Sequence, residues 1–149
     1  MIISTKGRYG LRAMFELAKA WGGAPVSLRQ ISEAQSLSEQ YLEQLFAKLK
    51  KAGLVISTRG AGGGYILAAS PADISVGSVL TALEGELAPA ECVGGDACCE
   101  NAGLCSMHMI WQRIYDGISA VINGISLQDM VNDERQLLQE APQAKDIRC

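Results

Sequence analysis

One short segment, LVISTRGAGGGYIL at residues 54–67, limits the possible folds more than any other part of the sequence. Two apolar runs rich in β-branched residues flank a turn with four glycines, which is the pattern of a β-hairpin. Three predicted helices precede it. Two short helices joined by a tight turn are a weak signal alone, but the hairpin that follows strengthens it. The order therefore predicts a winged helix-turn-helix domain.

The three helices are predicted from apolar spacing and from helix-start signals. The first covers residues 6–21, and Ser27 followed by Gln30 is a capping box that opens the short second helix. Ser38 caps the third helix, and Gly53 ends it after a lysine-rich last turn that suits the negative end of the helix dipole. The predicted inner face of the first helix is formed by Met14, Leu17, Ala18 and Trp21.

Charge is divided unevenly along the chain. Residues 1–69 hold nine lysines and arginines against four acidic residues, whereas residues 70–149 hold four against twelve. The net charge of −3 conceals this division. A basic N-terminal domain is expected where one end of a protein meets a polyanion, so we predict double-stranded DNA as a partner.

The DNA-reading surface follows from the geometry of such domains. The second helix of the pair lies in the major groove, and the wing lies against the backbone or the minor groove. Gln can pair with adenine and Glu can accept from cytosine, whereas lysines further along the helix meet phosphates. The candidate DNA-binding residues are Ser38, Glu39, Gln40, Tyr41, Glu43, Gln44, Lys48, Arg59, Gly60, Gly62 and Gly63, with Lys51 as a further phosphate contact. The alternative is a polar face that is merely solvated, which the agreement of charge, helix order and hairpin disfavours.

A long apolar stripe marks the C-terminal half. From about Ser106 to Ile125, apolar residues recur in steps of three and four, which predicts a long helix of coiled-coil character. The stripe contains Met107, Ile110, Trp111, Ile114, Ile118, Val121, Ile122 and Ile125. The compact N-terminal domain offers little surface to cover it. We therefore expect a homodimer through this helix, with packing on the first helix as the alternative.

Four of the five cysteines and the single histidine lie in one Gly-rich segment, residues 91–111. The candidate metal ligands are Cys92, Cys98, Cys99, Cys105 and His108. The odd cysteine total, with no export signal, leads us to expect a cytoplasmic location and metal binding rather than disulfides. Three cysteines and a histidine satisfy either a tetrahedral zinc ion or a [2Fe–2S] cluster. Because no CxxC knuckle is present, the spacing favours something larger than one ion, without excluding zinc.

These features predict a mainly α protein, a winged helix-turn-helix domain with a small β-hairpin wing and a long C-terminal dimerisation helix. The predicted parts are a DNA-binding domain at 1–70, a connecting helix at 71–90, a cysteine-rich cluster-binding loop at 91–108, a dimerisation helix region at 106–132 and a flexible tail at 133–149. No apolar run has the length of a membrane span. An enzyme is not expected, because adjacent cysteines close only a strained disulfide and no substrate-binding signature is present.

Several blocks of the sequence resemble one family of regulators. They are the opening Ser4-Thr5-Lys6-Gly7-Arg8-Tyr9, SEQYLEQLFAKLKKAGLV, STRGAGGGYIL, and the cysteine segment ending in CSMHMIW. They are similar to the IscR-type iron–sulfur cluster regulators, within a family of bacterial winged-helix repressors that also includes NsrR and CymR. The resemblance runs from residue 1 to 133 and leaves the tail uncovered.

The resemblance implies a homodimeric repressor that holds a [2Fe–2S] cluster and controls genes of iron–sulfur cluster biogenesis. Carried over to this chain, the ligands are Cys92, Cys99, Cys105 and His108. The family spacing is C-x5-C-x5-C-x2-H, and this chain has one extra residue, which makes Cys98 the alternative to Cys99. Cys99 is favoured because its gap leads directly into the helix that carries Cys105 and His108.

Two other functions are compatible with the same pattern. One is a winged-helix repressor with a structural zinc site, and the other uses a cluster to sense nitric oxide or redox state. NsrR-type proteins recruit an acidic side chain near position 8, where this chain has Arg8, and CymR-type proteins lack the cysteine triad. Both differences favour the IscR type. Glu43 matches a position that helps IscR discriminate between operator classes, whereas Gln40 departs from the serine found there.

Overall fold

The computed structural model describes residues 3–95 and 99–141, and the structural statements below refer to these residues. The described residues form six α-helices and one two-stranded hairpin. They are α1 (Thr5–Lys19), α2 (Leu28–Gln35), α3 (Glu39–Lys51), β1 (Val55–Thr58), β2 (Gly64–Leu67), α4 (Val76–Glu84), α5 (Ser106–Gly124) and α6 (Leu127–Glu140). Short 3-10 turns cover Pro71–Asp73 and Ala102–Leu104. The predicted order of helices and wing is confirmed.

One hydrophobic core joins the first three helices and the hairpin. Its fully buried side chains include Met14, Ile31, Leu42, Leu45, Phe46 and Leu49. Trp21 was expected on the inner face of α1, but it is 49% exposed. The reason is that α1 ends at Lys19, ahead of a turn in which Gly22 has a φ of 81°. Trp21 therefore lies within the turn and leaves the helical face.

Local capping contacts set the two helices of the helix-turn-helix pair. The Ser27 N–H donates to Gln30 Oε1 at 2.8 Å and the Gln30 N–H donates to Ser27 Oγ at 3.2 Å, which is the predicted capping box. Ser36 has a left-handed φ of 54° and turns the chain between α2 and α3. The Ser38 hydroxyl then accepts from the Tyr41 N–H at 3.2 Å and starts α3.

The wing is an antiparallel hairpin held against the helices at two points. Its register places Val55 opposite Leu67. Val26 and Tyr65 exchange backbone hydrogen bonds of 3.0 and 2.8 Å, so the segment before α2 extends the hairpin on one side. The Lys50 ammonium donates to Ser57 Oγ at 2.7 Å and links α3 to β1. These contacts with Val26 and with α3 therefore fix the direction of the wing.

Helix α4 packs directly on α1 at two glycines. A Cβ atom built on Gly10 would lie 2.0 Å from Leu83 Cδ1, so only glycine permits this approach. One turn earlier, Glu84 Oε1 accepts hydrogen bonds of 2.9 Å from the backbone N–H groups of Ser4 and Gly7 and also bonds the Ser4 hydroxyl. The last residue of α4 therefore satisfies free amides at the N-terminus of α1.

The C-terminal region differs from its prediction in two respects. The predicted long helix is interrupted after Gly124, and a capping box in which the Ser126 and Asp129 side chains each bond the other's backbone opens α6. Residues 133–140, expected to belong to a flexible tail, are helical, whereas residues 142–149 lie outside the described residues. Buried Leu127 and Val131 hold α6 against the core, where α6 packs on α1, whereas α5 packs mainly on α4.

No helix in the described ranges is both long and apolar enough to cross a membrane.

The contact between Glu84 and the start of α1 predicts a specific pH dependence of stability. Partial burial opposes ionisation of Glu84, but hydrogen bonds from Ser4 and Gly7, with the nearby Lys6 charge, outweigh it and hold its pKa below 4.5. The ionised carboxylate therefore stabilises the native state above pH 4.5, and this stabilisation is lost as the pH falls through the lowered pKa.

Glu84→Gln should lower the free energy of unfolding at pH 7 by about 1–2 kcal/mol and should flatten the acid side of the stability profile. Urea denaturation at a series of pH values measures both effects, with Glu43→Gln on the exposed face of α3 as the control. An acid profile for Glu84→Gln that matches the wild type would contradict the assignment.

Candidate nucleic-acid interface and metal centre

The polar face of α3 is presented to solvent as predicted. Leu42, Leu45 and Leu49 bury the opposite face, and Glu39, Gln40, Glu43, Gln44 and Lys48 are exposed. Tyr41 is only half-buried, with its ring edge-on to Tyr9 at a centroid distance of 6.1 Å. Ser38 is exposed, but its hydroxyl already caps the helix. The side chains best placed to meet base edges are therefore Gln40, Glu43 and Gln44.

The wing tip uses its glycines in different ways. Gly60 has a φ of 106°, and a Cβ atom on Gly63 would lie 2.5 Å from the Thr58 carbonyl oxygen, so both glycines are required by the turn itself. Gly62 faces open space. Arg59 is exposed at the same tip. The tip thus presents a guanidinium beside backbone that no side chain shields.

A basic groove lies between the end of α3 and the joint of α1 with α4. Lys48 and Lys51, predicted as phosphate contacts, line this groove of about 550 Å³ together with Lys6 and residues 81–85. Lys6 was not predicted as a phosphate contact, because it lies far from the other two lysines in the chain and only the fold brings them together. Lys50 bonds to Ser57 and does not line the groove.

The cysteine segment joins α4 to α5. Cys92 follows the chain's exit from α4, Cys99 precedes the 3-10 turn, and Cys105 is the N-cap residue of α5. These three thiols are half-buried, and none forms a disulfide. His108 lies in the first turn of α5, three residues after Cys105, so both belong to the same side of the helix start. Cys98 and Cys149 lie outside the described residues.

One buried nitrogen in this segment is compatible with a bound ligand. His108 Nδ1 is buried and has no hydrogen-bond partner among the described residues. A buried unpaired nitrogen costs free energy, and in native structures such atoms usually have a partner. Imidazole nitrogen with thiolates is a donor set that suits zinc or an iron–sulfur cluster. The chemistry of the residues therefore fits a bound metal group.

The four side chains are not gathered in this structure. Over residues 3–95 and 99–141, no group of three His, Cys, Asp or Glu side chains is arranged to hold a metal ion. The choice between Cys98 and Cys99 stays a prediction, since Cys98 is not described.

Two further residues, Glu86 and Tyr115, form hydrogen bonds that link the cysteine segment to α5 and carry no motif in the sequence. Glu86 accepts a 2.7 Å hydrogen bond from the Gly95 N–H and also bonds the Tyr115 hydroxyl of α5. The bonds from Tyr115 and Gly95 lower the pKa of Glu86, and the same contact with Glu86 raises the pKa of Tyr115. Neither residue is predictable as part of the site from the sequence, because Glu86 and Tyr115 are ordinary polar residues that only the fold brings together.

The sequence profile of one family matches most of the chain. Residues 3–133 match the Rrf2 family, which is described as iron-dependent transcriptional regulators. The chain belongs to the Rrf2 family. It is accordingly a DNA-binding transcriptional regulator and not an enzyme.

Named relatives are similar in sequence to this chain over nearly its whole length. The HTH-type transcriptional regulator IscR of Serratia proteamaculans is 39% identical over 148 residues, which cover 99% of this chain and 90% of that protein. The IscR of Vibrio atlanticus is 42% identical over 137 residues, covering 92% of this chain and 79% of that protein. The resemblance to IscR-type regulators is therefore confirmed.

Solved structures of Rrf2-type regulators share the fold. CymR, the global cysteine regulator of B. subtilis, superposes with a TM-score of 0.75 at 45% identity, covering 89% of this chain and 97% of that one. T. potens IscR superposes with a TM-score of 0.71 at 42% identity, covering 100% of this chain and 94% of that one. The winged-helix fold is confirmed.

Proposed function

We propose that this Rrf2 regulator is a homodimer that senses iron–sulfur status through a [2Fe–2S] cluster and controls genes of iron–sulfur cluster biogenesis. The observation that carries the proposal is the buried, unpartnered Nδ1 of His108, three residues after Cys105 at the start of α5. The IscR-named relatives support the same assignment.

The proposed ligands are Cys92, Cys99, Cys105 and His108, with Cys98 as the alternative to Cys99. When bound, the cluster supplies a redox-active centre whose presence depends on the supply of iron and sulfide. Imidazole is a neutral ligand that can be protonated, so it holds iron less firmly than a thiolate does. A site with one histidine therefore loses its cluster more readily than a Cys₄ site, which suits a sensor.

The proposed dimer interface is the apolar stripe of α5 within residues 106–132. Along Ser106–Gly124, all of which the structure describes, no residue is buried, and one edge of the helix contacts α4. Met107 is 55% exposed and Val121 61%. So much exposed apolar surface on one helix is expected to meet a partner, and a second copy of the chain offers a matching stripe.

Cluster loading then acts on DNA binding through the position of α5. The cysteine segment lies between α4, which is fixed to α1, and α5, which carries the dimer contact. A loaded segment holds the start of α5 at a defined place relative to the DNA-binding domain. Occupancy thereby shifts the spacing of the two recognition helices, and with it the operators that are bound. The proposed contacts are Ser38, Glu39, Gln40, Tyr41, Glu43, Gln44, Lys48, Arg59, Gly60, Gly62 and Gly63.

A second candidate function is a winged-helix repressor whose cysteine segment holds zinc. The same three thiols and imidazole also satisfy tetrahedral zinc. A cluster that responds to nitric oxide or redox state is a variant of the first proposal, since it uses the same ligands.

The metal content of the purified protein tests the cluster assignment. Protein isolated without oxygen should be brown and should contain iron and acid-labile sulfide in equal amounts, whereas colourless protein with zinc would support the second candidate. Alanine variants of Cys92, Cys99, Cys105 and His108 should each retain less than about a tenth of the cluster, because each removes one ligand. Cys98→Ala and Cys149→Ala serve as controls and should retain it; loss in Cys98→Ala with retention in Cys99→Ala would reverse that ligand assignment.

Charge placed on the α5 stripe tests the dimer. Val121→Glu should raise the dimer dissociation constant by at least about 100-fold, because a carboxylate buried in an apolar interface is poorly solvated. Sedimentation velocity over a range of protein concentrations measures the change. Arg113→Glu, on the same helix but outside the stripe, is the matched control. A Val121→Glu protein that sediments as the wild type does would place the interface elsewhere.

A further inference from the structure

We infer that Glu86 is the positioning residue of the cysteine segment: it ties the backbone between Cys92 and Cys99 to the face of α5 that carries His108. The inference deepens the proposed cluster site and rests on it for the identity of the ligand group. The contacts themselves are properties of the chain without any cluster.

A single oxygen atom of Glu86 makes both connections. Its Oε1 accepts the 2.7 Å hydrogen bond from the Gly95 N–H and the bond from the Tyr115 hydroxyl. Gly95 lies three residues after Cys92, within the segment that leads to Cys99. The carboxylate therefore bridges the loop between two proposed ligands and the helix that begins at a third, Cys105.

Tyr115 stands on the same side of α5 as His108. The two residues are seven apart, which is close to two turns of an α-helix. A loop held at Tyr115 consequently lies along the side of α5 that also presents the imidazole. These two hydrogen bonds, which we call the Glu86 clamp, hold the cysteine segment on the side of α5 that carries the histidine before any metal group is bound.

Gly94 allows the carboxylate to approach the loop backbone. A Cβ atom at this position would lie 2.7 Å from Glu86 Oε2, and its φ of 121° belongs to the region that favours glycine. Next to it, the side chain of Val93 is buried. The segment after Cys92 is thus shaped to receive a carboxylate.

Glu86 also connects the loop to the DNA-binding domain over a very short stretch of chain. Glu84 bonds the N-terminus of α1, Gly85 follows with a φ of 84°, and Glu86 bonds the loop and α5. Three consecutive residues therefore link α1, the cysteine segment and α5. Because the loop is already ordered in the metal-free protein, cluster binding loses less conformational entropy.

Four variants separate the geometry of this clamp from its charge. Glu86→Gln keeps the length of the side chain and one acceptor oxygen, whereas Glu86→Asp keeps the charge but is too short to span both partners. Tyr115→Phe removes only the hydroxyl. Glu91→Gln is the matched control, because it removes one negative charge from an exposed position of the same segment.

Hydrogen exchange at the Gly95 amide in metal-free, reduced protein measures the clamp directly. Exchange should be about tenfold faster in Glu86→Asp than in the wild type, intermediate in Tyr115→Phe, and close to the wild type in Glu86→Gln and Glu91→Gln. Amides in the core of α1 should exchange alike in all five proteins. Equal Gly95 exchange in Glu86→Asp and the wild type would overturn the inference.

Cluster retention in protein loaded without oxygen gives the second measurement. Under a chelator challenge, the visible absorption should decay about three- to tenfold faster in Glu86→Asp, with an unchanged initial spectrum because the ligands are the same. Equal decay in Glu86→Asp and the wild type, or faster decay in Glu86→Gln and Glu91→Gln than in Glu86→Asp, would overturn a positioning role. If the wild type takes up no cluster, the proposed function fails, and the Gly95 exchange still decides whether Glu86 holds the loop.

Discussion

The contact between the end of α4 and the start of α1 is the interaction on which the rest of the structure depends. Glu84 satisfies backbone amides of Ser4 and Gly7, and Gly10 lets Leu83 approach to a distance that any Cβ atom would prevent. An anion at a helix N-terminus also meets the positive end of the helix dipole. Because α1 is central to the DNA-binding core, this contact makes α4 part of that domain. The cysteine segment therefore leaves the domain from a fixed point.

The lysine-lined groove and the cysteine segment are consequently separated by only a short stretch of chain. Lys6, Lys48 and Lys51 line a groove that also includes Glu84 and Gly85, and Glu86 is already bonded to the cysteine segment. A change in the order of the segment therefore has only a short path along the chain to the groove that Lys6, Lys48 and Lys51 line. Coupling between the proposed metal site and DNA affinity needs two arrangements with different contacts, and in the proposed function α5 and its loop provide them. The buried core of the winged-helix domain is too closely packed to deform gradually.

Much of the fold could be predicted because its signals are local. Helix starts and the hairpin are each marked by a pattern of a few residues. These patterns are the capping box at Ser27 and Gln30, the cap at Ser38 and the glycine-rich turn. The break between α5 and α6 was missed although Ser126 and Asp129 signal it, because the apolar stripe continues without interruption to Ile125. The part of α6 from residue 133 onward was predicted as a tail, because its sequence is polar and no residue of α6 after Val131 is buried.

The sequence predicts the chemistry of the proposed metal site but not the arrangement of its residues. Four cysteines and a histidine in one segment predict a metal group, whereas the unpartnered state of His108 Nδ1 depends on what surrounds α5. The hydrogen bond from Tyr115 to Glu86, and the groove that Lys6 shares with Lys48, bring together residues far apart in sequence. Such pairs of ordinary polar residues have no local signature. They are found only when the packing of α1, α4 and α5 is known.

The most direct test of the account compares DNA binding by cluster-loaded and chelator-stripped protein. Both forms select sites from one random-sequence pool of double-stranded DNA, and their affinities for the enriched sites are measured at one fixed salt concentration. The account predicts that the two forms enrich different sites, or bind shared sites with affinities that differ by about tenfold or more. Identical enriched sequences bound with equal affinity by both forms would contradict it.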